Sequence, residues 1–160
     1  MQTFNLSANI ENGFAKGMQY IVTPNAQNVV NNLINGFKTG IHSYTIIGTY
    51  GTGKSSFLLA LEADLDKKNR SKYLLNPKLL SECTEFEILN IVGDYADLSV
   101  LLGRKLNMEG ASNSVLDELK AYYQRLAKEN KFLLLVIDEF GKVLEHAAKN
   151  NPEQELYFLQ

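Results

Sequence analysis

Apolar residues recur at helical spacing through Ala26, Val29, Val30, Leu33, Ile34 and Phe37, a stripe that puts one face of a helix against a core. Thr23 ahead of Pro24 reads as an N-cap followed by a first-turn proline, and the helix is predicted to stop between Gly36 and Gly40. The period then changes. Residues 43–47 are short, partly β-branched and bounded by Gly40 and Gly48, which predicts a buried strand. From Lys54 to about Lys68 the helical period returns. Phe57, Leu58, Leu61 and Leu65 form its apolar stripe, and Glu62, Asp64, Asp66, Lys67 and Lys68 are expected to face water.

Further along, residues 69–85 hold Pro77 among polar interruptions and read as loop. Phe86, Ile88, Ile91 and Val92 predict a second strand ending at Gly93-Asp94, and Leu98, Val100, Leu101, Leu102 and Leu106 predict a helix after it. Ser112 caps a longer helix carrying Val115, Leu116, Leu119, Tyr122, Tyr123 and Leu126, up to Glu129-Asn130. Residues 132–137 are continuously apolar, the pattern of a strand covered by helices on both faces. A helix is predicted over 141–150, and Pro152 opens another segment. Strands alternating with helices imply right-handed crossovers and a mainly parallel sheet in a three-layer α/β/α sandwich.

The chain has 160 residues, of which 45% are hydrophobic, enough for one buried core. An irregular arm over residues 1–22 followed by one domain over 23–160 is the expected organisation, with no internal repeat or composition break. The net charge of -2 offers no broad cationic field, so nucleic acid is a secondary hypothesis. Its best place would be Lys67, Lys68, Asn69 and Arg70 with Lys72, which as a bland reading is a solvated helix end. The one cysteine, Cys83, cannot form an internal disulfide and has no nearby base. No stretch approaches the roughly 20 apolar residues of a membrane span, and a cytoplasmic location is expected. His42 and His146 lack partners at metal-ligand spacing. At least one ring of Tyr122-Tyr123 should pack into the core.

Chemistry concentrates where glycines follow the first predicted strand. Gly48, Gly53, Lys54 and Ser55 match GxxxxGK[ST], with Thr49, Tyr50, Gly51 and Thr52 inside the loop and Ser56 after it. Glycines let the backbone wrap a polyphosphate with its N–H groups turned inward, while the following helix aims its positive end at the same anion. Lys54 would bring a mobile charge to the β- and γ-phosphates, and Ser55 a hydroxyl to Mg²⁺. Asp138 ends the apolar run, which would place its carboxylate at the carboxyl edge of the sheet, where it could hold Mg²⁺ through water. Glu139 is adjacent and could polarise an attacking water.

The stretches "GTYGTGKS" and "LLLVIDE" resemble the Walker A and Walker B motifs of P-loop NTPases, most closely the AAA+ and signalling STAND ATPases. The resemblance spans about residues 23–150. It implies ATP rather than GTP, Mg²⁺, and a Walker B glutamate acting as base, roles that fall on Lys54, Ser55, Asp138 and Glu139. It also implies that Tyr20 to Val22 lie near the adenine. The residues from Val136 onward resemble large bacterial ATPases of anti-phage and conflict systems.

In that branch a strand following Walker B lies between the two motif strands and carries a polar sensor. Too few residues follow Asp138 to supply it, so the chain is expected to be the N-terminal part of a longer protein, without sensor strand, lid or arginine finger. Arg70, Arg104 and Arg125 are the only arginines, and none is placed as a finger. Were the two motif strands neighbours, a kinase or GTPase arrangement would fit better. The expected function is a Mg²⁺-dependent ATPase module, the switch or motor of a larger assembly, with further domains or protein partners. The alternatives are a small phosphotransferase, and an interaction module whose bound nucleotide only sets its shape.

Overall fold

A computed structural model describes residues 9–13, 19–66, 72–76, 78, 80, 85–108, 112–150 and 153. Five α-helices and a two-stranded parallel sheet make the described chain α/β. The chain divides into two units, Met1–Phe86 and Glu87–Gln160.

In the first unit, helix α1 (Pro24–Lys38) starts as its sequence dictates. The Thr23 hydroxyl accepts from the Ala26 N–H at 3.2 Å, and Pro24 occupies the first turn, where its missing N–H costs nothing. Ala26, Val30 and Ile34 form its buried stripe. Thr23→Ala is expected to lower stability by about 1 kcal/mol, read from the urea midpoint, because one first-turn N–H loses its acceptor. The helix ends at Lys38, within the predicted stretch from Gly36 to Gly40. Gly36 leaves room for the Tyr44 side chain: a Cβ on it would lie 2.9 Å from the Tyr44 hydroxyl oxygen and 3.1 Å from Cε1 of the same ring.

That ring belongs to the predicted strand over 43–47, and here the structure corrects the expectation. Residues 41–49 adopt no strand, and Ile47 is 91% exposed. An apolar run becomes a strand only when a neighbour pairs its N–H and C=O groups. Tertiary anchoring takes another form here: the Tyr44 hydroxyl reaches the Ile41 carbonyl at 2.6 Å and the Leu33 carbonyl of α1 at 3.0 Å.

Helix α2 (Lys54–Leu65) follows the glycine loop. It is buried on nearly every side, through Phe57, Leu59, Ala60, Leu61, Ala63, Asp64 and Leu65, where a single stripe was predicted. Asp64, expected in water, is only 3% exposed. Its carboxylate accepts from the N–H groups of Tyr73 (2.7 Å), Leu74 (2.6 Å) and Leu75 (2.9 Å). A buried charge persists only when its oxygens are paired, and three amides do this here. They also explain why Leu74 and Leu75 are buried although they lie in a predicted loop.

In the second unit, β1 (Glu85–Val92, whose first two residues precede the division) pairs with β2 (Lys131–Asp138). The Gly93 N–H beyond β1 donates to the carbonyl of Asp138, the last residue of β2, so the two carboxyl ends lie side by side. Helices α3 (Leu98–Lys105) and α4 (Ser112–Lys128) make the crossover, and α5 (Phe140–Asn150) follows β2. Leu89 and Ile91 of β1 join Leu98, Leu101, Leu102, Val115 and Val143 in one core, with Leu133 and Ile137 of β2 packed against it. The expectation that residues 132–137 are buried on both faces holds only in part: Val136 is buried, whereas Leu135 is 37% exposed. Of the paired tyrosines, Tyr122 is half-buried with its hydroxyl on the Glu87 carboxylate at 3.1 Å, and Tyr123 is exposed.

Among the described residues no helix is long and apolar enough to cross a membrane. Lys67, Lys68, Asn69, Arg70, Cys83 and Pro152 lie outside the described residues, so the basic-patch and thiol readings have no structural counterpart here.

Candidate functional site

The glycine loop of the first unit is built by two left-handed glycines. Gly51 has φ 78° and Gly53 φ 84°, a region that side chains rarely enter, and neither would meet a neighbour through an added Cβ. Backbone conformation, not space, therefore demands glycine at both positions. Gly48 differs, since a Cβ there would come within 3.0 Å of the Thr52 hydroxyl. Thr52 closes the turn by donating that hydroxyl to the Thr49 carbonyl at 2.8 Å, and Tyr50 stands at the tip, 97% exposed.

Gly53 is the N-cap of α2 and has no side chain with which to cap it. The first intrahelical-type bond runs from the Phe57 N–H to the Gly53 carbonyl, so the N–H groups of Lys54, Ser55 and Ser56 precede the helix's own acceptors. They crowd with the positive end of the helix dipole at one point. Lys54 folds back over the loop, donating from Nζ to the carbonyls of Gly48 (2.8 Å) and Thr49 (2.9 Å). Gly48, Thr49, Thr52 and Lys54 are thus brought into mutual contact, with Ser55 and Ser56 in the first helical turn. In the same unit, Tyr20 meets Tyr73 edge to face, with ring centroids 6.3 Å apart, and partial burial raises its pKa.

The acidic strand end belongs to the second unit. Asp138 is 9% exposed, and its Oδ1 accepts from the Glu139 N–H at 2.9 Å. Glu139 is a non-glycine residue at φ 53°, the left-handed region, where the chain turns from β2 into α5. Its carboxylate pairs with Lys142, and that hydrogen bond is the first cause of the raised Lys142 pKa. Beyond it on α5, Glu145 accepts from Lys149 at 2.7 Å and from the Tyr95 hydroxyl at 2.9 Å, which lowers the Glu145 pKa and raises that of Tyr95.

Two residues of this region escaped the sequence reading. Gly93 was legible only as the end of a strand, and Lys142 was not singled out within the helix predicted over 141–150. The signal available for Lys142 was its i,i+3 spacing from Glu139. For Gly93 there was none, because its role depends on a chain segment 45 positions away, 138 minus 93.

His146 Nδ1 lies 3.2 Å from Asp97 Oδ1, but not with the geometry of a hydrogen bond. His42 packs edge-on against Phe37 at 5.1 Å. Among the described residues no group of three or more His, Cys, Asp or Glu is arranged to hold a metal ion. Comparison with family models, curated proteins and solved structures found no match.

Proposed function

We propose that this chain is a Mg²⁺-dependent ATP-binding and ATP-hydrolysing module of the P-loop NTPase type, a three-layer α/β/α sandwich acting in the cytoplasm as the switch or motor of a larger protein. One observation carries the reading: a loop with left-handed Gly51 and Gly53 leads into α2 without a side-chain cap, and Lys54 lies across it. This arrangement suits a polyphosphate, which would accept from the first-turn N–H groups and draw the Lys54 ammonium off the loop carbonyls.

The proposed reading includes Mg²⁺. This ion needs few protein ligands, taking one or two oxygens from the chain and the rest from phosphates and water. The Ser55 hydroxyl and the Asp138 carboxylate are the proposed donors. Mg²⁺ when bound would neutralise charge developing on the transferred phosphoryl group. Glu139 is assigned the role of general base, orienting and deprotonating the attacking water.

Titration with ATP, GTP and no nucleotide, with and without Mg²⁺, tests the binding claim; ATP binding that is Mg²⁺-dependent and stronger than GTP binding is expected. Glu139→Gln should keep ATP affinity within about threefold while lowering turnover by about 100-fold or more, since an amide cannot take the proton. Turnover equal to wild type would remove Glu139 from the mechanism. ATP binding with no turnover in the full-length protein would favour the interaction-module alternative.

A further inference from the structure

Gly93 is buried directly after β1, and its N–H donates to the Asp138 carbonyl at 2.7 Å, carrying the parallel pairing one residue past the strand. A Cβ built on it would lie 2.5 Å from the Glu139 carbonyl oxygen, 2.9 Å from the Glu139 carbonyl carbon and 3.1 Å from the Asp138 carbonyl oxygen. These are backbone atoms, which cannot swing aside as the tip of a flexible side chain would. Any other residue at 93 must therefore push the 138–139 segment away.

That segment is where direction is set. The Glu139 N–H turns back to Asp138 Oδ1 at 2.9 Å, and its carbonyl accepts from the Lys142 N–H at 3.0 Å as α5 begins. Between these two bonds the backbone sits at φ 53°, a conformation a glutamate holds only when its surroundings impose it. The close face of Gly93 is one of those surroundings.

We propose that Gly93 is a positioning residue for the Asp138 and Glu139 pair, fixing the direction of the Glu139 carboxylate through backbone contact alone. The proposal rests on the reading of Glu139 as general base. Moving the peptide from 2.5 Å to ordinary contact at 3.4 Å displaces the acid by an amount that catalysis does not tolerate, since misplacement near 1 Å costs about 100-fold in rate.

The test compares Gly93→Ala with Gly141→Ala in the full chain. Gly141 is close in sequence but would meet nothing within 4 Å. Gly93→Ala should lower kcat for ATP by about 100-fold with KM within about twofold of wild type, and Gly141→Ala should change neither. Amide NMR supplies a readout independent of turnover: in Gly93→Ala the Glu139 and Lys142 signals should shift while those of Leu89 and Ile91 stay in place. Wild-type kcat in Gly93→Ala, a rise in KM matching the fall in kcat, or unshifted Glu139 and Lys142 amides would overturn the proposal. Absence of turnover in the wild type would instead count against the ATPase reading, leaving the amide shifts to decide the role of Gly93. Should Gly93→Ala not fold, the same change combined with Glu139→Gly, where residue 139 can rotate freely, is expected to fold; failure of that double variant would overturn the proposal.

Discussion

Lys54→Ala is expected to weaken Mg²⁺-ATP binding by about 100-fold or more while leaving the thermal midpoint almost unchanged. The two halves of that result have separate causes. In the free protein the Lys54 ammonium donates to the carbonyls of Gly48 and Thr49, and both bonds are exposed, so water replaces them at little cost. Against a triphosphate the same ammonium would make charge-assisted bonds worth about 1.5–3 kcal/mol each, and every 1.4 kcal/mol is about tenfold in affinity. Isothermal titration with ATP and a thermal melt on the same preparation check both halves. Equal ATP affinity in wild type and variant would remove Lys54 from the phosphate site. A fall of the melting point together with affinity would show that the lysine acts by holding the loop.

Asp64→Ala is expected to produce the largest loss of stability of any single change discussed, about 3–5 kcal/mol. Three N–H groups depend on this carboxylate, and the bonds to Leu74 and Leu75 are fully buried. Removing the acceptor leaves those amides without water or protein partners, which costs more than the net value of the bonds themselves. Gln27 Nε2, donating to the Leu74 carbonyl at 3.3 Å, ties the same segment to α1 but does nothing for the N–H side. Asp64→Asn should fall between, near about 2 kcal/mol, because one oxygen remains while the amide's own N–H groups face other donors. Urea denaturation followed by circular dichroism measures both. A loss under about 1 kcal/mol for Asp64→Ala would mean that the 73–75 amides find other acceptors.

Asp64 also shows why part of the fold was illegible. Helical spacing assigns polar residues between apolar ones to the solvent side, and in α1 Asn28, Asn31 and Asn32 are indeed exposed while Ala26, Val30 and Ile34 of the predicted six-residue stripe are buried. Around α2 the rule fails, because the helix is covered on nearly all sides and a charge among those faces must find partners rather than water. Those partners come from a segment whose own sequence reads as loop. Residues 43–47 failed for a related reason: apolar, β-branched composition states a capacity to pair, and pairing needs a second strand that composition does not name.

The candidate site divides in the same way. The helix opening at Lys54 was legible, because glycine freedom followed by a helix-forming run is a local property; the left-handed backbone of Gly51 and Gly53 is the form that freedom takes. Asp138 at the end of a strand was legible too. The left-handed turn at Glu139 and its dependence on Gly93 were not, since they arise from the approach of two strand ends.

By itself the amino-acid sequence determined the α/β class, the Thr23 cap and buried stripe of α1, and the strands at 85–92 and 131–138, patterns set by interactions within a few neighbouring residues. Only the tertiary structure decided that Asp64 is a buried clamp, that residues 43–47 join no strand, and that Gly93 lies against the Asp138-Glu139 peptide. Each of those depends on atoms far apart in the chain meeting at hydrogen-bond or van der Waals distance, and no local pattern encodes which distant backbone will arrive.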